Sequence, residues 1–328
     1  MSGTRGELLT VLFDCTALYW GAVGLEPDAR SGERPGTVRE PPIAHPLPLS
    51  AALHHTVEFL HAYQLIDDAH RVAIFTVSDA GSRLIYEQVP LDDAGSGAAA
   101  GAAATAPQSL AAALVAGTRD AVLESLHQRK ALGLTQTDIA ALPPSERKPK
   151  LLLAAALTRA LCYANRALRA AAASGAPAPR LRMLCLTACP DTPTQYISTM
   201  NAVFAAKELE CCIDTCMLGT DDSAFLQQAA HVTGGTCLRM KHPGTLLQHL
   251  TLTFAAGPEQ RRKIRHVAQD RVDLRPACFC HKRPVSIGYV CSVCLSIFCS
   301  DRKRCGTCGA ENANRIDGAA AGGAPGPS

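Results

Sequence analysis

The sequence predicts an α/β fold: a mostly parallel sheet with helices on both faces, followed by a small cysteine-rich module. Three observations lead there. Short, near-continuous apolar runs alternate with stretches of helical periodicity through the first 257 residues, the pattern of strands buried between covering helices. Seven of the fifteen cysteines crowd between Cys278 and Cys308. Segments rich in Gly, Ala and Pro interrupt or end the chain where no core is being built.

Taken in order, Leu8 to Phe13 is a buried strand ended by Asp14, and Ser50 to Leu65 carries Leu53, Val57, Phe59, Leu60 and Leu65 at helical spacing. Arg71 to Val77 is a second buried strand and Arg83 to Glu87 a short third. Leu151 to Ala173, rich in Ala and Leu, is a helix; Leu181 to Thr187 is a strand, and a helix follows from about Gln195 to Leu209. Cys211 to Leu218 is a strand and Ser223 to Ala230 a helix. After a turn at Gly234-Gly235 come a last strand, Thr236 to Met240, and a closing helix, Gly244 to Phe254. Gly24 to Pro48 reads as a loop. The domain plan is therefore an α/β domain over 1–257 with a low-complexity insertion at 92–107, then a linker over 258–276. The cysteine module over 277–317 and a disordered tail over 318–328 complete it. The linker carries a basic run, Arg261, Arg262, Lys263 and Arg265.

Composition bounds the function. Hydrophobic residues make up 47% and charged ones 19%, ordinary for a globular protein, and a net charge of +3 is too weak to argue for nucleic acid or membrane binding. Met1 to Leu8 lacks the pattern of a signal peptide, and apolar runs such as Leu151 to Leu157 fall short of the roughly 20 residues that span a bilayer. The expectation is a soluble intracellular protein with no membrane partner. The eight cysteines outside the cluster lie mostly in apolar runs (Cys162, Cys185, Cys212, Cys216), where a free thiol behaves as a small hydrophobe.

In the cluster the spacing is Cys278-x-Cys280-His281, then Cys291-x2-Cys294, Cys299 and Cys305-x2-Cys308. Two C-x2-C pairs ten residues apart are a strong zinc signal. Each pair forms a turn that aims two thiolates at one ion, and Zn²⁺ takes four such ligands in a closed tetrahedron. Cys291, Cys294, Cys305 and Cys308 are thus the expected zinc ligands. Cys278, Cys280, His281 and Cys299 form a second ligand set in an interleaved, RING-like arrangement. A full RING series would place a ligand about three residues after Cys299, where Arg302 stands, and this weakens a ubiquitin-ligase reading.

No catalytic constellation emerges. Metal-binding von Willebrand domains end their first strand in D-x-S-x-S, whose oxygens suit a Mg²⁺-type ion. Here the run is Asp14-Cys15-Thr16-Ala17-Leu18, Leu18 offers no oxygen, and no Mg²⁺ is expected at Asp14. Neither nucleotide-binding glycine motif occurs. His54, Glu58 and His61 share a helix face without H-E-x-x-H spacing and read as a solvated surface. Asp221-Asp222 reads as favourable charge at a helix start.

The run ACFCHKRPVSIGYVCSVCLSIFC (Ala277 to Cys299), with Cys305-x2-Cys308 after it, resembles the C-terminal zinc finger of the small von Willebrand subunits of transcription factor TFIIH. Phe204 to Gly235, Leu157 to Arg166 and Tyr19-Trp20-Gly21 are similar to the same family, and Tyr289 to Cys299 is the most specific stretch. The resemblance implies a von Willebrand factor A-like (Rossmann-like) domain whose first-strand motif lacks metal-ligating serines. It implies a nuclear, non-enzymatic subunit of the TFIIH core complex, serving RNA polymerase II transcription initiation and nucleotide excision repair. Its chief partner would be the second von Willebrand/zinc-containing subunit, with helicase subunits contacted indirectly and DNA weakly or indirectly. The competing reading is a zinc-dependent nucleic-acid-binding protein that uses the module and the basic run.

Overall fold

The computed structural model describes residues 6–23, 47–88, 109–131, 151–192, 195–219, 223–240, 242–261, 263, 275, 278–280, 285–294 and 296–311. The expected loop at 24–46, the insertion at 92–107, Asp221-Asp222 and the tail lie outside them. Two compact units divide the chain, Met1–Val272 and Asp273–Ser328.

In the first unit, strands β1 (Glu7–Asp14), β2 (Arg71–Val77), β3 (Ser82–Glu87), β4 (Arg180–Thr187), β5 (Cys212–Met217) and β6 (Cys237–Arg239) form one sheet of order β3-β2-β1-β4-β5-β6. All pairs are parallel except β2 with the edge strand β3. This is the doubly wound, von Willebrand A-like arrangement expected from the sequence. Alternation along β1 explains why both faces must be covered. Leu8 and Leu12 point into one cluster with Phe75, Met183 and Ile213, while Leu9, Val11 and Phe13 point into another with Ile74, Leu184 and Cys216.

Helices α4 (Leu153–Ser174), α5 (Tyr196–Glu208) and α6 (Ala224–Thr233) contribute to the first cluster, and α2 (Leu49–Gln64), α3 (Leu110–Ala131) and α7 (Leu246–His249), continued by a π-helical turn over Leu250–Phe254, to the second. The short α1 (Ala17–Val23) brings Trp20 against that second face, its indole N–H donating to the Asp14 carbonyl at 2.9 Å. The face of α4 reads directly from its sequence: Leu153, Ala156, Leu157, Ala160, Leu161 and Ala164 recur at 3–4 residue steps and are buried. No local side chain caps its N-terminus. Gln195 does so from a distance, accepting from the Ala154 N–H at 3.2 Å and donating to the Leu151 carbonyl at 2.8 Å. Gly175, at φ 68°, ends the helix in the left-handed conformation favoured after a last turn.

The sequence reading contains no helix over 110–131. The buried stripe of α3 is Leu110, Ala113, Leu114, Thr118 and Ser125, with few large apolar groups to mark its period. Gly117 weakens the pattern further, yet it is required. A Cβ there would stand 2.4 Å from Cγ2 of Ile85, so only glycine lets α3 lie this close to β3.

Beneath the N-terminal ends of the parallel strands lies a buried ionic network. Arg182, its side chain 1% exposed, donates to Glu7 at 3.0 Å, to Asp214 at 2.9 Å and to the Phe254 carbonyl at 2.8 Å. Arg261 grips the other side of Asp214, with contacts of 2.5 and 2.7 Å, while the Thr236 N–H donates to it at 2.9 Å and the Tyr63 hydroxyl donates to Glu7 at 2.9 Å. Two carboxylates meet two guanidiniums, so the group is neutral, which a buried set must be to avoid a desolvation penalty of several kcal/mol per charge. Burial alone would raise the Asp214 carboxyl. The hydrogen bonds of Arg261 and the charge of Arg182 outweigh it and hold Asp214 below the usual carboxylate range. The structure thereby corrects the reading of residue 258 onward as linker. Pro258–Arg261 is a helical turn (α8), and Arg261 is a buried part of the α/β unit.

Candidate metal centre

The second unit is built on a small hairpin, β7 (Tyr289–Val290) antiparallel to β8 (Ile297–Phe298). The chain leaves β7 into Cys291, turns through Cys294, and re-enters β8 after the Cys291 N–H donates to the Ser296 carbonyl at 2.9 Å. A second turn carries Cys305 and Cys308, closed by hydrogen bonds from the Gly309 N–H to the Cys305 carbonyl (3.0 Å) and from the Cys305 N–H to the Ala310 carbonyl (2.8 Å). Gly309 reverses the chain at φ 74°, a conformation that a side chain would strain.

These two turns bring the sulfurs of Cys291, Cys294, Cys305 and Cys308 within 4.8 Å of one another. Cys291 and Cys308 are 3.8 Å apart, Cys294 and Cys305 3.6 Å. A tetrahedron with metal–sulfur bonds of about 2.3 Å has sulfur–sulfur edges of about 3.8 Å, whereas a disulfide brings sulfurs to about 2.05 Å. The donor set therefore fits a tetrahedral thiophilic ion and does not describe a disulfide. Backbone N–H groups of Cys308 and then Thr307 pull the Cys305 thiol down to about 6, while, against a backbone N–H from Ala310, the neighbouring sulfurs of Cys294, Cys305 and Cys291 push Cys308 up to about 12. Burial pushes Cys15, Cys211 and Cys212 in the α/β core up to about 12 and leaves them inert, as their apolar contexts suggest. Among the described residues the module has little else to hold it. Its buried cluster consists of Cys291, Phe298 and Cys305, with Phe279, Cys280 and Cys294 packed against it.

Of the second expected set, Cys278, Cys280 and Cys299 converge within 4.8 Å, with Cys280 and Cys299 3.4 Å apart. His281 lies outside the described residues. Arg302 stacks over the Phe298 ring, 5.7 Å from its centroid.

At the end of β1, Asp14 is buried and fully engaged by protein donors. One carboxylate oxygen accepts from the Thr16 N–H at 2.9 Å and the Thr16 hydroxyl at 2.6 Å; the other accepts from the Ala188 and Cys189 N–H groups, both at 3.0 Å. A carboxylate has about four lone-pair sites, so none is left for a cation. Asp14 welds the end of β1 to the loop after β4, and the residues present do not fit a Mg²⁺ ion. Asp14→Ala is expected to lower the stability of the α/β unit by about 3 kcal/mol or more, since each orphaned buried donor costs about 1–3 kcal/mol. Thermal unfolding with and without Mg²⁺ checks this: the variant melts lower, and Mg²⁺ shifts neither protein.

His54 and Glu58 pair at 3.0 Å on exposed α2, and His55 Nδ1 lies 3.6 Å from the same carboxylate, while His61 is exposed a turn further on. Asp191, which the sequence reading passed over, accepts from the Ser223 hydroxyl and from the Phe225 N–H at 3.1 Å, tying the loop after β4 to the start of α6. Its signal was the Ser223 N-cap position itself, which an acidic residue elsewhere can reinforce.

Fold and site together define a Rossmann-like α/β protein that carries, toward its carboxyl end, a module whose clustered cysteines could hold a metal ion. Residues 6–309, spanning both units, match the family model described as Transcription factor Tfb4. The chain belongs to that family. An Arabidopsis thaliana protein, General transcription and DNA repair factor IIH subunit TFB4, is 45% identical over 164 residues, 50% of this chain and 53% of that protein. A relative of the same name from Candida glabrata is 26% identical over 306 residues, 89% of this chain and 80% of that one. The crystal structure of the TFIIH p34 N-terminal domain is similar at 26% identity and a TM-score of 0.48, covering 76% of this chain and 97% of that domain. The matched region spans about half the length of the curated relatives found first, 53% of the Arabidopsis protein and 42% of a Dictyostelium discoideum one.

Proposed function

We propose that the chain is a structural, non-enzymatic subunit of the TFIIH core complex. In this role it acts in the nucleus, in RNA polymerase II transcription initiation and nucleotide excision repair, by pairing with the complex's second von Willebrand/zinc-containing subunit. The observation that carries this is the continuity of the family match across both units, residues 6–309. The engagement of Asp14 supports it, because a sheet whose metal position is closed still presents rigid loops and helix faces to a partner. Zinc at Cys291, Cys294, Cys305 and Cys308 supplies a structural cross-link, holding as one docking body a module whose described residues bury only a small apolar cluster. The nucleic-acid reading loses a main support, since Arg261 of the basic run is buried against Asp214. Among the described residues no helix is long and apolar enough to cross a membrane.

Co-expression of the full chain with that second subunit tests the proposal. A one-to-one complex that survives size exclusion, with no hydrolytic activity gained by this chain alone, is the expected result. Two separate proteins after co-expression would refute it.

A further inference from the structure

We propose that Cys278, Cys280 and Cys299 are thiolate ligands of a second zinc site, at the opposite end of the β7–β8 hairpin from the four-thiolate centre. The inference deepens the reading of this unit as a thiolate metal module and rests on it. The hairpin register separates the two groups. Val290 pairs with Ile297 and Tyr289 with Phe298, so Cys291 follows β7 at one end while Cys299 follows β8 at the other. Three residue steps divide their levels along the hairpin, about 10 Å at roughly 3.3 Å per residue, too far for one ion to serve both.

The segment 278–280 is delivered to Cys299 by backbone structure. The Phe279 N–H donates to the Ile297 carbonyl at 2.8 Å. Because the Ser296 carbonyl accepts from Cys291 on the β7 side, the next carbonyl, that of Ile297, faces away from β7. The segment thus lies along the other side of β8, with the Phe279 and Phe298 rings 6.5 Å apart. Cys278 and Cys280 then flank Phe279 and meet Cys299 at the end of the strand. The order along the chain is consequently interleaved: Cys278 and Cys280 to one site, Cys291 and Cys294 to the other, Cys299 back to the first, Cys305 and Cys308 to the second. Two ions on such a pattern pin every segment of the module to its neighbour, which its small apolar cluster does not do.

The test is zinc content of the full-length chain, purified under reductant, in wild type and in single serine variants. The wild type is expected to hold two ions, and Cys280→Ser and Cys299→Ser one each, with the cobalt-substituted four-thiolate charge-transfer band retained in both. Wild-type protein treated with a colorimetric chelator should release two equivalents of zinc, a readout that needs no variant to fold. One ion in the wild type, lost only on Cys291→Ser, would overturn this proposal while leaving the four-thiolate centre standing. A Cys280–Cys299 cross-linked peptide recovered from the reductant-purified protein would overturn it too. Absence of zinc from wild type and variants alike would instead remove the reading of the module on which it rests.

Discussion

Asp214→Ala is expected to destabilise the α/β unit by about 3–5 kcal/mol, the cost of leaving buried charge without its partner. Asp214 is fully buried and, among the described residues, is the carboxylate that touches both Arg182 and Arg261. Without it, two guanidiniums face one carboxylate, Glu7, in a site where neither arginine can shed its proton. For a unit of this size each kcal/mol moves Tm by roughly 2–4 °C, so the melting point should fall by roughly 6–20 °C. Differential scanning calorimetry of the variant against wild type checks this, and Arg83→Ala provides a control. Arg83 pairs with Glu124 at 3.4 Å on the surface, its side chain 61% exposed, where such pairs contribute little.

The same network predicts a pH dependence. The folded pKa of Asp214 is depressed below its unfolded value, near 3.9. Its contribution is therefore present in full above that value and is lost as pH falls below it, through the folded pKa. Wild-type stability should decline in that acid window, and Asp214→Asn, which carries no titrating carboxyl, should lose that component of the decline.

Cys305→Ser should have an equally large effect, confined to the second unit. Serine keeps the size of the side chain but removes the thiolate that zinc requires, and a structural zinc site contributes folding free energy outright. Among the described residues the module's buried interior is Cys291, Phe298 and Cys305, a small apolar cluster in which two of the three members are the expected ligands. Elemental analysis should show at least one fewer zinc per chain than wild type. Proteolysis should cut within 285–311, while the thermal transition of the α/β unit stays where it was.

Much of this architecture was legible in the residues. The strands announced themselves because parallel strands covered on both faces must be apolar at nearly every position, and Leu8 to Phe13, Arg71 to Val77 and Leu181 to Thr187 are. The C-x2-C pairs were legible because ligand spacing is a local geometric demand, and the structure brings those four sulfurs together. What escaped depended on partners distant in sequence. Arg182 and Asp214 each interrupt an apolar strand, and a charge there has to meet its opposite. The partners stand 175 and 47 residues away, at Glu7 and Arg261, and neither position was readable from its neighbours. Helix α3 was missed because Gly117, which its contact with Ile85 requires, and the hydroxyls Thr118 and Ser125 stand on its buried side where large apolar residues would have marked the period. Asp14 was read as non-metallic from the missing oxygen at Leu18; the structure adds the physical reason, four protein donors on one carboxylate.

The claim at the centre of this account is that metal, rather than apolar burial, organises the carboxyl-terminal module. Reversible metal withdrawal from the full-length chain, followed by amide NMR of residues 285–311, tests it most directly. The dispersed signals of Cys291, Phe298, Cys305 and Cys308 are expected to collapse on chelation and return when zinc is restored, with the α/β signals unmoved. Signals of those four residues that keep their dispersion in metal-free protein would contradict it.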